Sequence, residues 1–441
     1  MFFIDLLFII IWIQLPIIWH YMLKASGLAI TRISISSVTL MFFYLFQYIG
    51  IPIYYFNLDQ YRIIESNKYG MLSVFAGTSI TITLLIFGFF AAKNHIGSVN
   101  YNLYSEEINT GFINKKRGII INLIALFCLT IFCVYLTKVG FENIAFLNAI
   151  SISDNQLGTS FSRNLMSTEF DGKYHWYSLV IHSIFSFLIL IFFANLRNNK
   201  SFKARLSFLI YFPIVLLALL STTEKILILD LFISLVFLNL IINYRGFIKP
   251  IRLIKFASTG LLVSFLLVSV LTGFQNIGAI VPSTVSRILT GSIEPALIYV
   301  ETFPKENDYL LGKSLPNPGG LLPFEPKRSS VIVGDIQSIN DNIQTTAPTA
   351  FWADAYANFG WIGVFTVPFF VGYIIYLIDR VFLGLSPNPL MVSLYVWVIS
   401  HYKAISISSI GNYIIDLKFI GIVLVSIMIY GAIPKLKKII K

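Results

Sequence analysis

Charge is what this chain has least of. Only 12% of its 441 residues are Asp, Glu, Lys or Arg, about half the share usual in soluble domains. With a mean hydropathy of +0.79, that deficit excludes an ordinary soluble enzyme, whose core needs far less apolar surface. Cysteine is almost missing. Cys128 and Cys133 are the only two, and five residues apart on a helix they point in different directions, which excludes a disulfide or a metal pair. Several motifs are absent as well. There is no Walker-type glycine loop, no HExxH, no paired Cys or His at metal spacing and no DxD-like pair. Phosphate-loop chemistry, zinc hydrolysis and metal-bound nucleotide-sugar transfer therefore have no support. The opening run "MFFIDLLFIIIWIQLPIIWHYML" lacks a basic start and a small-residue cleavage site, so it is expected to be a first membrane span.

What is present is apolar and aromatic. Hydrophobic residues make up 56% of the chain and aromatics 16%, in runs long enough to span a bilayer. The pattern predicts an all-α polytopic membrane protein with eleven spans, near 2–23, 33–55, 71–92, 118–137, 174–194, 206–220, 226–243, 256–277, 356–378, 389–410 and 413–434. The sixth and seventh form a tight hairpin around "STTEK" (221–225). Alternate connections hold 19 of the 32 Lys and Arg, including Lys115–Arg117, "RNNKSFKAR", "YRGFIKPIRLIK" and the tail "KLKKIIK". Cytoplasmic connections carry such an excess, so the C-terminus is expected inside and the N-terminus outside. The net charge of +11 is then a topology signal. No basic soluble face with interleaved aromatics exists to bind nucleic acid.

This reading divides the chain into spans 1–277, one long outer connection 278–355, and three further spans with a basic tail over 356–441. The long connection holds eight of the 16 prolines and is net acidic. Its turn-rich "PNPGGLLPFEPKRSS" and its aliphatic content argue for a folded functional loop rather than a disordered one, and "PSTVSRILTGSIEPALIYVETF" has the apolar spacing of an interfacial helix. A second outer loop, 138–173, carries Arg163, Glu169 and Asp171. Where the chain re-enters the membrane, "TAPTAFWADAYANFGWIGVFTVPFF" places Asp354, Asn358 and Trp361 at i, i+4 and i+7, a polar stripe on a regular helix. Ala353, Ala357 and Gly360 form a neighbouring stripe of small residues. Two functions fit: a site for a polar, membrane-tethered substrate, or a capped helix start with tight packing.

"LLGKSLPNPGGLLPFEP" followed by "PTAFWADAYANFGWIGV" resembles the large outer loop and following span of the Wzy-type oligosaccharide repeat-unit polymerases. The matching residues are Asp354, Tyr356, Asn358, Phe359, Gly360 and Gly363. "LLSTTEKILILDL" is similar to the family's small-polar run ending in a basic residue, with Lys225 in that place and, unusually, Glu224 before it. The resemblance covers residues 206–378 in motifs and the whole chain in topology.

It implies a GT-C-like, metal-independent glycosyltransferase without cofactor at the outer face of a bacterial cytoplasmic membrane. Such an enzyme joins undecaprenyl-diphosphate-linked oligosaccharides into O-antigen or capsule, among membrane lipids, with a chain-length regulator and a flippase as candidate partners. A lipid diphosphate leaving group calls for fixed cations, for which Lys225, Arg287, Arg328 and Arg163 are the outer candidates, Arg163 and Arg328 reading more readily as solvated or headgroup-contacting charges and Lys225 and Arg287 equally as either. Asp354, Glu294 or Asp335 would take the acceptor proton, and Tyr356 and Asn358 would bind substrate. His175 and His182 fit a span boundary and bundle packing. His401 and Lys403 are intramembrane polar residues, the lysine of a kind that often snorkels. The rivals are an O-antigen ligase-like transferase, which differs in its acceptor; a lipid-linked oligosaccharide flippase, for which internal repeats are wanting; and a structural scaffold.

Overall fold

The computed structural model describes residues 2–62, 67–105, 108, 112–151, 156–167, 170, 173–198, 201–249, 251, 252, 255, 258–260, 262, 263, 265, 266, 277–317, 320, 323–337, 346–409 and 416–431. Every regular element among them is a helix. Among the described residues, nine helical stretches are long and apolar enough to cross a membrane: Phe3–Ala25, Ile35–Tyr55, Lys68–Ile96, Lys115–Val139, Tyr174–Arg197, Phe202–Leu220, Lys225–Tyr244, Phe351–Leu383 and Pro389–Ile407. They correspond to the first seven, the ninth and the tenth expected spans, and make this a helical, multi-pass membrane protein. The eighth expected span, 256–277, lies mostly outside the described residues, as do Glu169, Asp171 and the basic tail. The eleventh is represented by the shorter apolar helix Leu417–Tyr430.

The chain folds as two compact units. The first comprises Met1–Asn100, Ser283–Val381 and His401–Asp416; the second comprises Tyr101–Pro282, Phe382–Ser400 and Leu417–Lys441. In the first, α1 (Phe2–Ala25), α2 (Ile35–Phe43), α3 (Ile51–Tyr55) and α4 (Lys68–Ile96) are followed, far along the chain, by α5 (Ile277–Leu289, from Ser283), α6 (Ile293–Thr302), α7 (Ser329–Gln337) and α8 (Phe351–Leu383). Glycines let α4 and α8 approach closely. A Cβ at Gly88 would lie 2.2 Å from the Phe369 carbonyl oxygen, and one at Gly372 would lie 2.2 Å from that of Leu85. Without side chains there, the backbones gain dispersion contact that lipid alone does not drive.

The other end of α8 carries a fully buried acid, Asp379, whose carboxylate accepts from the amides of Ile35 and Ser36 at 2.8 Å each. It caps the first turn of α2 from 344 residues away in sequence, satisfying amides that a helix start leaves open. Lys403 does not snorkel. It is 4% exposed, with its ammonium 5.5 Å above the Phe42 ring. His401 pairs with Asp416 at 3.5 Å, and the fully buried Gln47 donates to the Ser406 carbonyl at 3.0 Å.

In the second unit the hairpin is as expected, with helices Phe202–Leu220 and Lys225–Tyr244 separated by four residues. Described residues of the segment 138–173 pack against it. The Phe146 amide donates to the Ser221 carbonyl at 3.2 Å, and Tyr135 donates to the Met166 carbonyl at 2.6 Å within an apolar cluster with Phe132, Phe170 and Ala218. His182 is buried, with its ring 3.3 Å from the Ser178 hydroxyl, so it packs in the bundle. Cys128 is buried and Cys133 exposed, the divergence their spacing requires.

Candidate functional site

The helix that begins "FWADAYANF" does not continue regularly. At Gly360 the backbone takes φ 61° and ψ −149°, a break inside α8. This conformation strains any residue with a Cβ, and here a Cβ would also lie 2.9 Å from the Tyr309 hydroxyl. The regular stripe expected through Asp354, Asn358 and Trp361 therefore ends at the break, and Gly360 serves as a corner rather than a packing groove. A broken helix leaves carbonyls without partners. Those of Ala357 and Asn358 accept from the amides of Leu310 and Leu311 at 2.9 and 3.0 Å. The Asn358 side chain completes the joint. Its Oδ1 accepts from the Gly312 amide at 2.9 Å, while its Nδ2 donates to Ser314 Oγ at 2.6 Å and to the Asp354 carbonyl at 2.7 Å.

Asp354, 6% exposed, points to the same loop. It accepts from Ser329 Oγ at 2.6 Å, and Ser314 bonds to it as well. Tyr299 of α6 donates to Ser329 Oγ at 3.0 Å. Burial, with the Asp354 carboxylate beside it, pushes the Tyr299 hydroxyl above its ordinary range, so it remains a donor. Tyr356 donates to the Phe303 carbonyl at 3.2 Å and packs edge-on against Tyr309 and Trp361.

A second buried acid lies on α6. Glu294 is 2% exposed and accepts from Gln337 Nε2 at 2.8 Å and from Arg62 Nη1 at 3.5 Å. Arg62 Nε also donates to Thr290 at 3.0 Å and stands 3.7 Å from Asp59. Asp59 accepts from Ser286 at 2.7 Å, from Thr290 and from the Tyr61 amide. Burial alone would raise the Asp59 carboxyl, but these donors and Arg62 outweigh it and hold it below the ordinary carboxylate value. Two carboxylates thus flank one guanidinium.

The helix α7 connects the two acids. Ser329 at its start holds Asp354, and Gln337 at its end holds Glu294. Nine residues rise about 12 Å, which sets the scale of the site.

Of the expected site residues, the first unit brings Glu294, Asp354, Tyr356 and Asn358 into this buried assembly. It leaves Asp335, Arg287 and Arg328 exposed. Arg287 follows Ser286, whose hydroxyl bonds to Asp59, but is itself exposed. Lys225, half-buried at the first turn of its helix, and the exposed Arg163 belong to the second unit. Sequence reasoning missed Arg62, Asp59, Ser329, Gln337 and Tyr299. One signal was available for the first two: an Asp and an Arg three residues apart in a short connection otherwise poor in cations. Among the described residues no group of three His, Cys, Asp or Glu side chains converges as metal ligands.

Comparison with family models, curated proteins and solved structures gives no match.

Proposed function

We propose that the chain is a GT-C-like glycosyltransferase that joins undecaprenyl-diphosphate-linked repeat units at the outer face of a bacterial cytoplasmic membrane. In this reading its N-terminus is outside and its C-terminus is cytoplasmic. The carrying observation is the state of two carboxylates, Glu294 and Asp354. Both are buried at the end of the first unit predicted to be external, and both accept from neutral donors of α7, an amide and a hydroxyl, with Glu294 also held by Arg62. Such donors occupy the places that sugar hydroxyls would take. An acceptor sugar exchanging for Gln337 or Ser329 would bring its hydroxyl to an acid already desolvated and oriented.

The transfer itself requires little else. The acceptor oxygen attacks the anomeric carbon of the growing chain, and its proton passes to a carboxylate. The bond to the lipid diphosphate breaks, with the electron pair leaving on the diphosphate. Cations stabilise that departing charge. Arg287 and Arg328 are the exposed candidates in the first unit. Arg62 is already engaged by Asp59 and Glu294 and acts as a positioning residue for Glu294. Asp335, open to solvent, is a weaker candidate for proton transfer than the two buried acids.

The test is the glycan made by a strain lacking this protein. Surface glycan of single repeat units supports a polymerase. Absence of surface-attached glycan, with units trapped on either side of the membrane, contradicts it.

A further inference from the structure

The short loop docked on the α8 break presents a feature that hydrogen bonding does not explain. Leu311 is 73% exposed and its backbone sits at φ 51°, a conformation unusual for a residue with a bulky side chain. Leu315, on the same loop, is 41% exposed. Lys313, between them, is exposed as well. An apolar side chain held outward in a strained backbone gains nothing in water. It gains if something apolar covers it.

What lies beside it identifies the cover. The amide of Leu311 bonds to the Asn358 carbonyl at 3.0 Å, and a Cβ on Gly312 would sit 3.7 Å from the Phe359 ring. Phe359 itself is 42% exposed. Below it the membrane-facing surface of α8 continues through Ile362 and Phe365, 73% and 55% exposed. The two leucines are thus tied to the last turn before the surface of a span that must meet acyl chains. The loop cannot swing away cheaply, since four hydrogen bonds to Ala357 and Asn358 fix its backbone and Ser314.

We propose that residues 310–315 form a membrane anchor, with Leu311 and Leu315 inserted among the acyl chains of the nearest leaflet and Lys313 at the level of the lipid phosphates. The occupant is lipid, continuous with the lipid already around α8. The anchor holds the loop that covers Asp354 against the bilayer, and it does so whether or not the chain transfers glycans.

The test uses the full-length protein with Cys128→Ala and Cys133→Ala, so that one introduced cysteine carries an environment-sensitive fluorophore. Leu311→Cys, Leu315→Cys and, as a solvent-facing reference, Glu306→Cys are reconstituted in phosphatidylethanolamine–phosphatidylglycerol vesicles. The expected result is blue-shifted emission at positions 311 and 315, strong quenching by lipids carrying a nitroxide near the headgroup, and shielding from aqueous iodide. The reference position should show the reverse. Iodide quenching at 311 and 315 equal to that at 306 overturns the proposal. Shielding from iodide without quenching by nitroxide lipid also overturns it, because the cover would then be protein, such as a second copy of this chain.

Discussion

Asn358 uses both ends of its amide to hold one loop, and that saturation defines its role. Asn358→Ala removes bonds to Gly312, Ser314 and the Asp354 carbonyl. At about 0.5–1.5 kcal/mol for each net hydrogen bond, the loss should reach roughly 2–4 kcal/mol. Limited proteolysis at Lys313 should accelerate accordingly, and unchanged cleavage would show that the loop is held by something else. Arg62 is bound more tightly into its surroundings. Arg62→Ala leaves Glu294 and Asp59 facing each other without their cation, a change that costs about 3–5 kcal/mol in a buried pair. Thermal unfolding in detergent should drop sharply for Arg62→Ala and recover in part when Glu294→Gln is added. Absence of any recovery would place the damage elsewhere. Asp59 contributes a pH dependence of known sign. Its folded carboxyl lies below the unfolded value, so its stabilisation is full above about pH 4 and is lost as pH falls through the lowered value. Asp59→Asn should therefore flatten the acid limb of the stability curve, and an unaltered limb would contradict this assignment. Asp354→Asn keeps an acceptor for Ser329 while removing charge and basicity. The proposed chemistry predicts normal amounts of folded protein with chain extension nearly abolished, measured as glycan length in cells.

At the scale of elements, the decisive feature is the corner in α8. Gly360→Ala must place a Cβ at φ 61° and 2.9 Å from the Tyr309 hydroxyl. Adding Tyr309→Phe removes the closest of these contacts but leaves the ring carbon at 3.0 Å and the backbone strain, so the double variant should regain only part of the folded yield. Full recovery would mean that the conformation itself is unstrained, and no recovery would mean that the contact is immaterial. The corner was not legible in "ANFGWIGV", because a glycine at a span's start reads equally as a packing residue. The loop that meets the break, through the amides of Leu310, Leu311 and Gly312, comes from some fifty residues earlier in the chain. The acids were legible as candidates, since an Asp at a span boundary and a Glu in an apolar helix both stand out. Their partners were not. Ser329 and Gln337 gain meaning only once α7 lies across α6 and the start of α8, and short polar side chains in a turn-rich loop carry no pattern that predicts such pairing. The reach of Arg62 to Glu294, 232 residues away, is likewise a product of tertiary packing alone.

For the molecule as a whole, hydropathy carried most of the architecture. Long apolar runs must pair their backbone polar groups internally in lipid, and helices do this without help from sequence detail. That is why the borders of the nine described spans could be read closely, while the division into two discontinuous units could not: it depends on which helices pack together, and apolar runs look alike. Sidedness rests on the Lys and Arg asymmetry. A reporter fused after residue 320 should be active only outside the cytoplasm, and one after residue 250 only inside it. Exchanged activities would put Glu294 and Asp354 in the compartment where a lipid-linked oligosaccharide is not polymerised. The most direct measurement reconstitutes the purified protein in liposomes with lipid-linked repeat units extracted from the strain lacking it. The account predicts a ladder of glycans growing by one repeat unit per step, with lipid diphosphate released, from the unaltered protein but not from Asp354→Asn. Repeat units that remain single, in vesicles where the protein is folded and correctly oriented, would contradict it.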